Sequence, residues 1–225
     1  YTDHLLLTSE KKITNEVLKA FNFFIANYRK DKFYHLLVSP FGLRNKLMML
    51  IESETKNAKA GKEAYISIKI NNLTDEEIIG RLYKASKAGV KIRLIVRGMF
   101  SLIPGVKGLS ENIKAIGIVD RFLEHSRFMI FCNGGDEMVY ITSADIMPRN
   151  LDRRIEVSCP VFDPAIRKEI TDVFEIQWND NVKARIYDEE QSNKFARSQK
   201  NPLRSQIEVH SYLTKINETP PGVTP

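Results

Sequence analysis

Two cysteines, Cys132 and Cys159, are all the sequence holds, and they are too far apart for a C-x-x-C pair. Neither a disulfide framework nor a cysteine zinc site is indicated. No apolar run reaches the roughly 18 residues that span a bilayer, and nothing at the start reads as a signal peptide. There is no H-E-x-x-H or EF-hand spacing. Gly105-Val106-Lys107-Gly108 lacks the G-x-x-x-x-G-K-[ST] spacing and the strand before it, so a P-loop is rejected. An initiating methionine is also missing. The chain opens on Tyr1-Thr2-Asp3, runs out through Pro220-Pro221-Gly222, and reads as a piece of a longer protein.

What is present is ordinary for a soluble globular chain: 43% hydrophobic and 28% charged residues. The 225 residues suffice for one large domain, or one domain with an appendage. A formal charge of +6 and a pI near 9.2 favour an anionic partner, which is a statement about association rather than fold.

Residues 13–29 read as a helix, capped by Thr14, with Val17, Phe21, Phe24 and Ile25 at helical spacing. A charged break at Arg29-Lys30-Asp31-Lys32 follows, and a domain boundary is placed near Phe33. From Tyr34 the order is strand, helix, strand, helix, strand, at 35–38, 43–60, 65–70, 75–87 and 91–96. Leu43, Leu47, Leu50 and Ile51 share one face of the first of these helices. Thr74 caps the second, with Glu77 in the capping-box position and Gly89 as its stop. This alternation implies an α/β fold with parallel pairing, right-handed crossovers and helices against the sheet. A loop rich in glycine and proline (97–112) leads to a strand at 113–119 and then a hairpin. A strand at 154–161, a helix opened by Asp163-Pro164 and running through Trp178, and a short strand at 182–187 come next. A polar, basic loop (191–204) and a helix at 205–215 close the chain.

The hairpin, RFLEHSRFMIFCNGGDEMVYITSAD from Arg121 to Asp145, is the centre of the reading. Phe128, Ile130, Val139 and Ile141 alternate as in half-buried strands. Asn133-Gly134-Gly135 supplies the positive φ angles of a turn. His125 and Asp145 sit at the strand ends away from that turn, so pairing brings them near each other, and the same hairpin carries Arg127. That set suits phosphate handling; the plain alternative is a surface histidine in an unremarkable hairpin. In a mainly parallel sheet, ligands bind beyond the carboxyl ends of the strands. Lys69, Asn71-Asn72, Arg97-Gly98 and Ser39-Pro40-Phe41 with Arg44 fall there. Arg97 offers a planar fork for phosphate oxygens, or is a solvated arginine at a strand end. Lys69 alternates with Ile68 and Ile70 and, on the plain reading, faces solvent.

The hairpin resembles a degraded phospholipase D signature, H-x-K-x4-D followed by G-S-x-N. It has His125-x-Arg127, Cys132 in place of the acid, and Thr142-Ser143-x-Asp145. Cysteine cannot replace that carboxylate, which counts against phosphodiester hydrolysis. Longer strings are similar to the C-terminal half of the polyphosphate kinases: ITNEV, LVSPFGLR, IKINNL, LIVRGMFSLIPGVKGLSENI, IVDRFLEHSR and SADIMPRNLDRRIEV. The resemblance implies a phospholipase D-like mixed, mainly parallel sheet flanked by helices. Residues 1–33 would end a first such domain, 34–215 would form a second, and 216–225 would be a disordered tail. It implies reversible transfer of the γ-phosphate of ATP to inorganic polyphosphate, and Mg2+ that accompanies ATP with its ligands upstream. The phosphohistidine would also lie upstream, since His4, His35 and His210 are not in its motif. Tyr1, Arg97 and His125 fall on the family's ATP-site positions. A cytoplasmic protein, or one peripheral to the inner membrane, and a homo-oligomer of the full-length chain are implied as well, with no nucleic acid as partner.

Within that resemblance Tyr1 stacks on adenine, Arg97 holds phosphate oxygens, and His125 gives a proton or hydrogen bond to the leaving or bridging oxygen. Glu124 and Glu156 are candidates to orient His125. Lys69, Arg127 and Arg153 are the weaker candidates, lining a basic channel for the chain. The rival is a phospholipase D-like phosphodiesterase or nucleic-acid-binding module.

Overall fold

The computed structural model describes residues 1–26, 28, 31–197 and 201–218. The expected end of the first helix with the break at 29–30, part of the basic loop (198–200) and the tail from 219 onward lie outside them. Helix α1 (Lys11–Ile25) begins earlier than expected, because Glu10 rather than Thr14 caps it, accepting from Lys12 N at 3.3 Å. The alternating unit follows as β1 (Leu37–Ser39), α2 (Leu43–Lys59), β2 (Tyr65–Ile70), α3 (Glu76–Lys87) and β3 (Lys91–Val96). The α3 cap is Asp75, not Thr74: its carboxylate accepts from Ile78 N at 3.1 Å. Then come β4 (Ile113–Ile118), β5 (Phe128–Phe131), a 3-10 turn (Asn133–Gly135), β6 (Met138–Thr142), α4 (Pro148–Asp152), β7 (Glu156–Pro160), α5 (Pro164–Trp178), β8 (Ala184–Tyr187) and α6 (Ser205–Glu218). The short α4, begun by a proline at its first turn, had no counterpart in the sequence reading.

The strands form one mixed sheet in the order β1-β7-β6-β5-β2-β3-β4-β8. Parallel pairing is confined to β2–β3 and β3–β4; the other neighbours are antiparallel. Strands β1, β2, β3, β4 and β6 point one way and β5, β7 and β8 the other. The sheet is therefore parallel in its majority direction but antiparallel in most of its pairings. The sequence order implied β1 beside β2. Instead the β5–β6–β7 meander lies between them, and β1 pairs with β7 at the sheet edge. Short connections make antiparallel neighbours of β5, β6 and β7, and β1 takes the edge that remains.

Helices cover both faces. Leu43, Leu47, Ile51, Ile78 and Leu82 from α2 and α3 pack on Ile66, Ile68 and Leu94. On the other face Ile170 and Phe174 of α5 pack on Ile95, Phe128 and Ile130. Helix α1 rests on β1 and β7 through Ile13, Leu36 and Val38. The alternation of β2 divides between the faces: Ile66, Ile68 and Ile70 meet α2 and α3, which sends Lys69 toward α5. The C-terminal ends of β2, β3 and β6 and the N-terminal ends of β5 and β7 share one sheet edge.

Candidate functional site

At that edge residues 1–4 lie alongside 123–126. Thr2 N donates to Leu123 O at 2.8 Å, and Thr2 O accepts from His125 N at 3.0 Å. Extended chain alternates its side chains, so the four residues divide in two. Tyr1 and Asp3 meet His125 from the open side. The Tyr1 ring stands edge-on to the imidazole, 5.2 Å between centroids, and is 79% exposed. Asp3 Oδ2 lies 2.7 Å from His125 Nδ1. Partial burial works against the Asp3 charge. The bond from His125, the bond from the His4 amide and the nearby charges outweigh it and hold Asp3 below its usual range. Thr2 and His4 turn inward. Thr2 Oγ1 donates to Glu124 Oε2 at 3.2 Å. His4 sits edge-on to Phe128 with its Nδ1 buried and, among the described residues, unbonded, and burial, then the Lys69 charge, pushes it below the ordinary histidine range.

Arg97 follows β3. Its Nε donates to Asn71 Oδ1 at 2.6 Å and to Glu124 O, the carbonyl just before His125, at 2.7 Å. Asn71 follows β2, and its buried Nδ2 finds no partner among the described residues. Gly98 must be glycine here, since a Cβ would meet Asn72 Oδ1 at 2.5 Å and Asn71 O at 2.8 Å. Asp145, buried after β6, gathers the strand ends. It accepts from Asn71 N at 2.9 Å, Asn72 N at 3.2 Å, Asn72 Nδ2 at 2.8 Å and Arg127 Nε at 3.0 Å. Arg127 Nη2 lies 3.4 Å from His125 Nε2, so the histidine and Asp145 are joined through the arginine between them.

Tyr1, Arg97, His125 and Arg127 are thus brought together. Lys69 lies beneath them rather than beside them. Lys69 does not face solvent: it is 2% exposed and bonded to Glu124 Oε2 at 2.8 Å and Ser126 Oγ at 2.6 Å, under the site. Arg153 is exposed at the end of α4, where its charge acts on Asp152, the partner of Arg44. Lys69, buried against Glu124, therefore lends no surface charge to the expected basic channel. The orienting carboxylate is Asp3, and neither expected glutamate takes that place. Glu124 is committed to Lys69. Glu156 accepts from Ser143 Oγ and, at 2.7 Å, from Asn150 Nδ2. Asp3 and His4 were missed; only the alternation from Tyr1 to Asp3 carried a signal. Cys132 is buried at the far end of β5, bonded to Glu63 O. Among the described residues no three His, Cys, Asp or Glu side chains gather as a divalent cation would need, and no described helix is long and apolar enough to cross a membrane.

Residues 36–206 match the family Polyphosphate kinase C-terminal domain 2. The chain is 51% identical over 219 residues to a polyphosphate kinase of Vibrio parahaemolyticus, covering 97% of this chain and 32% of that protein. With the enzyme of Escherichia coli K12 the identity is 46%, over the same shares of each. The crystal structure of polyphosphate kinase from Porphyromonas gingivalis superposes with a TM-score of 0.90 at 42% identity, over 94% of this chain and 33% of that one. A phospholipase D family member, Nuc of Salmonella typhimurium, shares the fold, with a TM-score of 0.51 at 16% identity over 68% of this chain and 96% of its own. The chain spans about a third of the length of the curated relatives it matches.

Proposed function

The chain belongs to the polyphosphate kinase family through its C-terminal domain 2, and from that premise we propose that it supplies the nucleotide side of a reaction moving the γ-phosphate of ATP reversibly onto inorganic polyphosphate. The observation that carries the reading is the convergence of Tyr1, Arg97 and His125 at one sheet edge, with Asp3 on the imidazole. Phosphoryl transfer needs positioning and charge neutralisation more than covalent chemistry. Arg97 uses Nε to hold its own place, and its terminal nitrogens meet the phosphate oxygens. Exposed Tyr1 stacks on adenine. Asp3 keeps a proton on His125 Nδ1, which makes Nε2 the atom that exchanges a proton or hydrogen bond with the leaving or bridging oxygen.

The phosphate-carrying histidine is not among this chain's four. His4, His35 and His210 do not stand in the family's phosphohistidine motif, which the resemblance places in the part of the kinase that these residues do not span. Magnesium accompanies ATP in this reading. The donor set here does not fit a cation site, so the charge neutralisation assigned to this chain is that of Arg97 and Arg127. Residues 1–33 are the end of a preceding phospholipase D-like domain, in keeping with a family match that begins at 36.

The test uses the full-length kinase and γ-labelled ATP. An acid-labile, base-stable phosphoprotein and labelled polyphosphate are expected. His125→Ala should lower the rate of synthesis by about two to three decades, the loss typical of one transition-state donor, with the far-UV spectrum unchanged. No phosphoprotein, or near-normal turnover in that variant, would overturn the assignment.

A further inference from the structure

Beneath His125 lies a buried ion pair that the reaction as described does not use. Lys69 Nζ and Glu124 Oε2 are 2.8 Å apart, and each side chain is 2% exposed. Four elements send a donor to this one carboxylate. Lys69 comes from β2, Thr2 from the N-terminal segment at 3.2 Å, Gln177 Nε2 from α5 at 2.8 Å and Gln206 Nε2 from α6 at 2.6 Å. Gln206 grips the same loop again. Its Nε2 donates to Phe122 O at 2.8 Å and its Oε1 accepts from Phe122 N at 3.1 Å. The lysine also donates to Ser126 Oγ at 2.6 Å, so the pair brackets His125 in the chain. The backbone carbonyl of Glu124 is the acceptor for Arg97.

An apolar pair of the same volume would cost less to bury than two charges, but it would hold nothing in a fixed direction. A carboxylate with four donors fixes its residue to within hydrogen-bond tolerance. The residue so fixed has the arginine on its carbonyl and the histidine as its next neighbour. We propose that Glu124, held by Lys69, is a positioning residue that sets His125 against Arg97, and that α6 takes part in this through Gln206. The proposal rests on the assignment of His125 to phosphoryl transfer, but its geometric content is independent of turnover.

The test compares Lys69→Met, Glu124→Gln and the double variant in the full-length kinase. Each single change leaves a buried charge or a buried donor unpaired, so the singles lose thermal stability. The double variant removes both charges at similar volume and recovers toward the parent melting temperature. Arg97 keeps its bond to Asn71, so the KM for ATP in the double variant stays within about twofold while kcat falls by about tenfold or more, the split expected when a group acting in the transition state moves. The acylation rate of His125 by diethyl pyrocarbonate, read by peptide mapping, rises in the double variant as the imidazole leaves Asp3. Gln206→Met, which keeps the pair and removes one donor, should shift both readouts the same way by less, and it carries the test if the double variant does not fold. Parental kcat and parental His125 acylation in the folded variant would overturn the proposal. So would losses that merely track the melting temperature across the series. If the parent kinase made no polyphosphate, the reaction assignment would fail, and the acylation rates would still decide whether Glu124 positions His125.

Discussion

A carboxylate 2.7 Å from Nδ1 decides which nitrogen of His125 is free to work. An aspartate in that place keeps the imidazole in one tautomer and orientation, and its amide can hold the ring with the wrong tautomer. Asp3→Asn in the full-length kinase should therefore lower kcat by on the order of 100-fold or more, with KM for ATP little changed, measured as steady-state polyphosphate synthesis. A parental kcat would make the contact incidental. That Arg97 and His125 meet at one sheet edge was legible in the sequence, because a strand-end cation and a hairpin histidine are local signals. Asp3 was not, because 122 positions separate it from its partner. The nearer acids, Glu124 and Glu156, drew the expectation and proved to be occupied by Lys69 and by Ser143 with Asn150. The place of Lys69 was misread for a related reason. Alternation showed that it faces away from Ile68 and Ile70, but not that α5 and α6 cover that face.

Between elements the same kind of clamp recurs where α5 gives way to β8. Asp180, 2% exposed, accepts from the amides of Val182 at 2.9 Å, Lys183 at 2.6 Å and Ala184 at 3.0 Å, and its second oxygen accepts from Ser205 N at 2.7 Å, which ties the start of α6 to the turn. Burial alone would raise this carboxyl. The bonds from Lys183, Ser205 and Ala184 outweigh it and leave the group below its ordinary 3.8. A carboxyl depressed in the folded state contributes stability in full above its unfolded value, and the contribution is lost as pH falls through the folded value. Asp180→Asn should cost about 3 kcal/mol at neutral pH, since a charge-assisted acceptor of several amides is replaced by a weaker one. The gap between parent and variant should narrow once the pH is below 3.8. Urea melts of both across pH 7 to 2 check this, and a gap independent of pH would remove Asp180 from the acid response. Elements were the most legible scale, because α2, α3, α5 and the core strands carry clear periods. Their order in the sheet was not, because nothing local in Leu37–Ser39 says that it pairs with β7 rather than β2. Caps slipped by a residue or more where two capping residues stand together, as Thr74 and Asp75 do.

Across the whole molecule the apolar surface is unevenly distributed. Helix α1 buries Ile13 and Ala20, Ile13 against the sheet, yet Leu18, Phe21, Phe24 and Ile25 face outward, Ile25 at 87% exposure. A large apolar patch on one helix marks a surface that another body covers. Helix α1 precedes the stretch matched by the family, and relatives carry about twice as much chain again. On the proposal that residues 1–33 end a preceding domain, that domain covers the stripe. The stripe also bears on the site, because Tyr1 and Asp3 reach His125 from the same N-terminal segment. The double change Phe21→Ser with Ile25→Ser then has different consequences in two settings. In the full-length kinase it removes two buried side chains and should cost about 5 kcal/mol or more, with synthesis falling as the N-terminal segment loosens. In this chain alone the same side chains are in water, so its melting temperature should hold. Equal and small effects in both settings would leave α1 an exposed helix of this domain and detach the origin of Tyr1 and Asp3 from any preceding one.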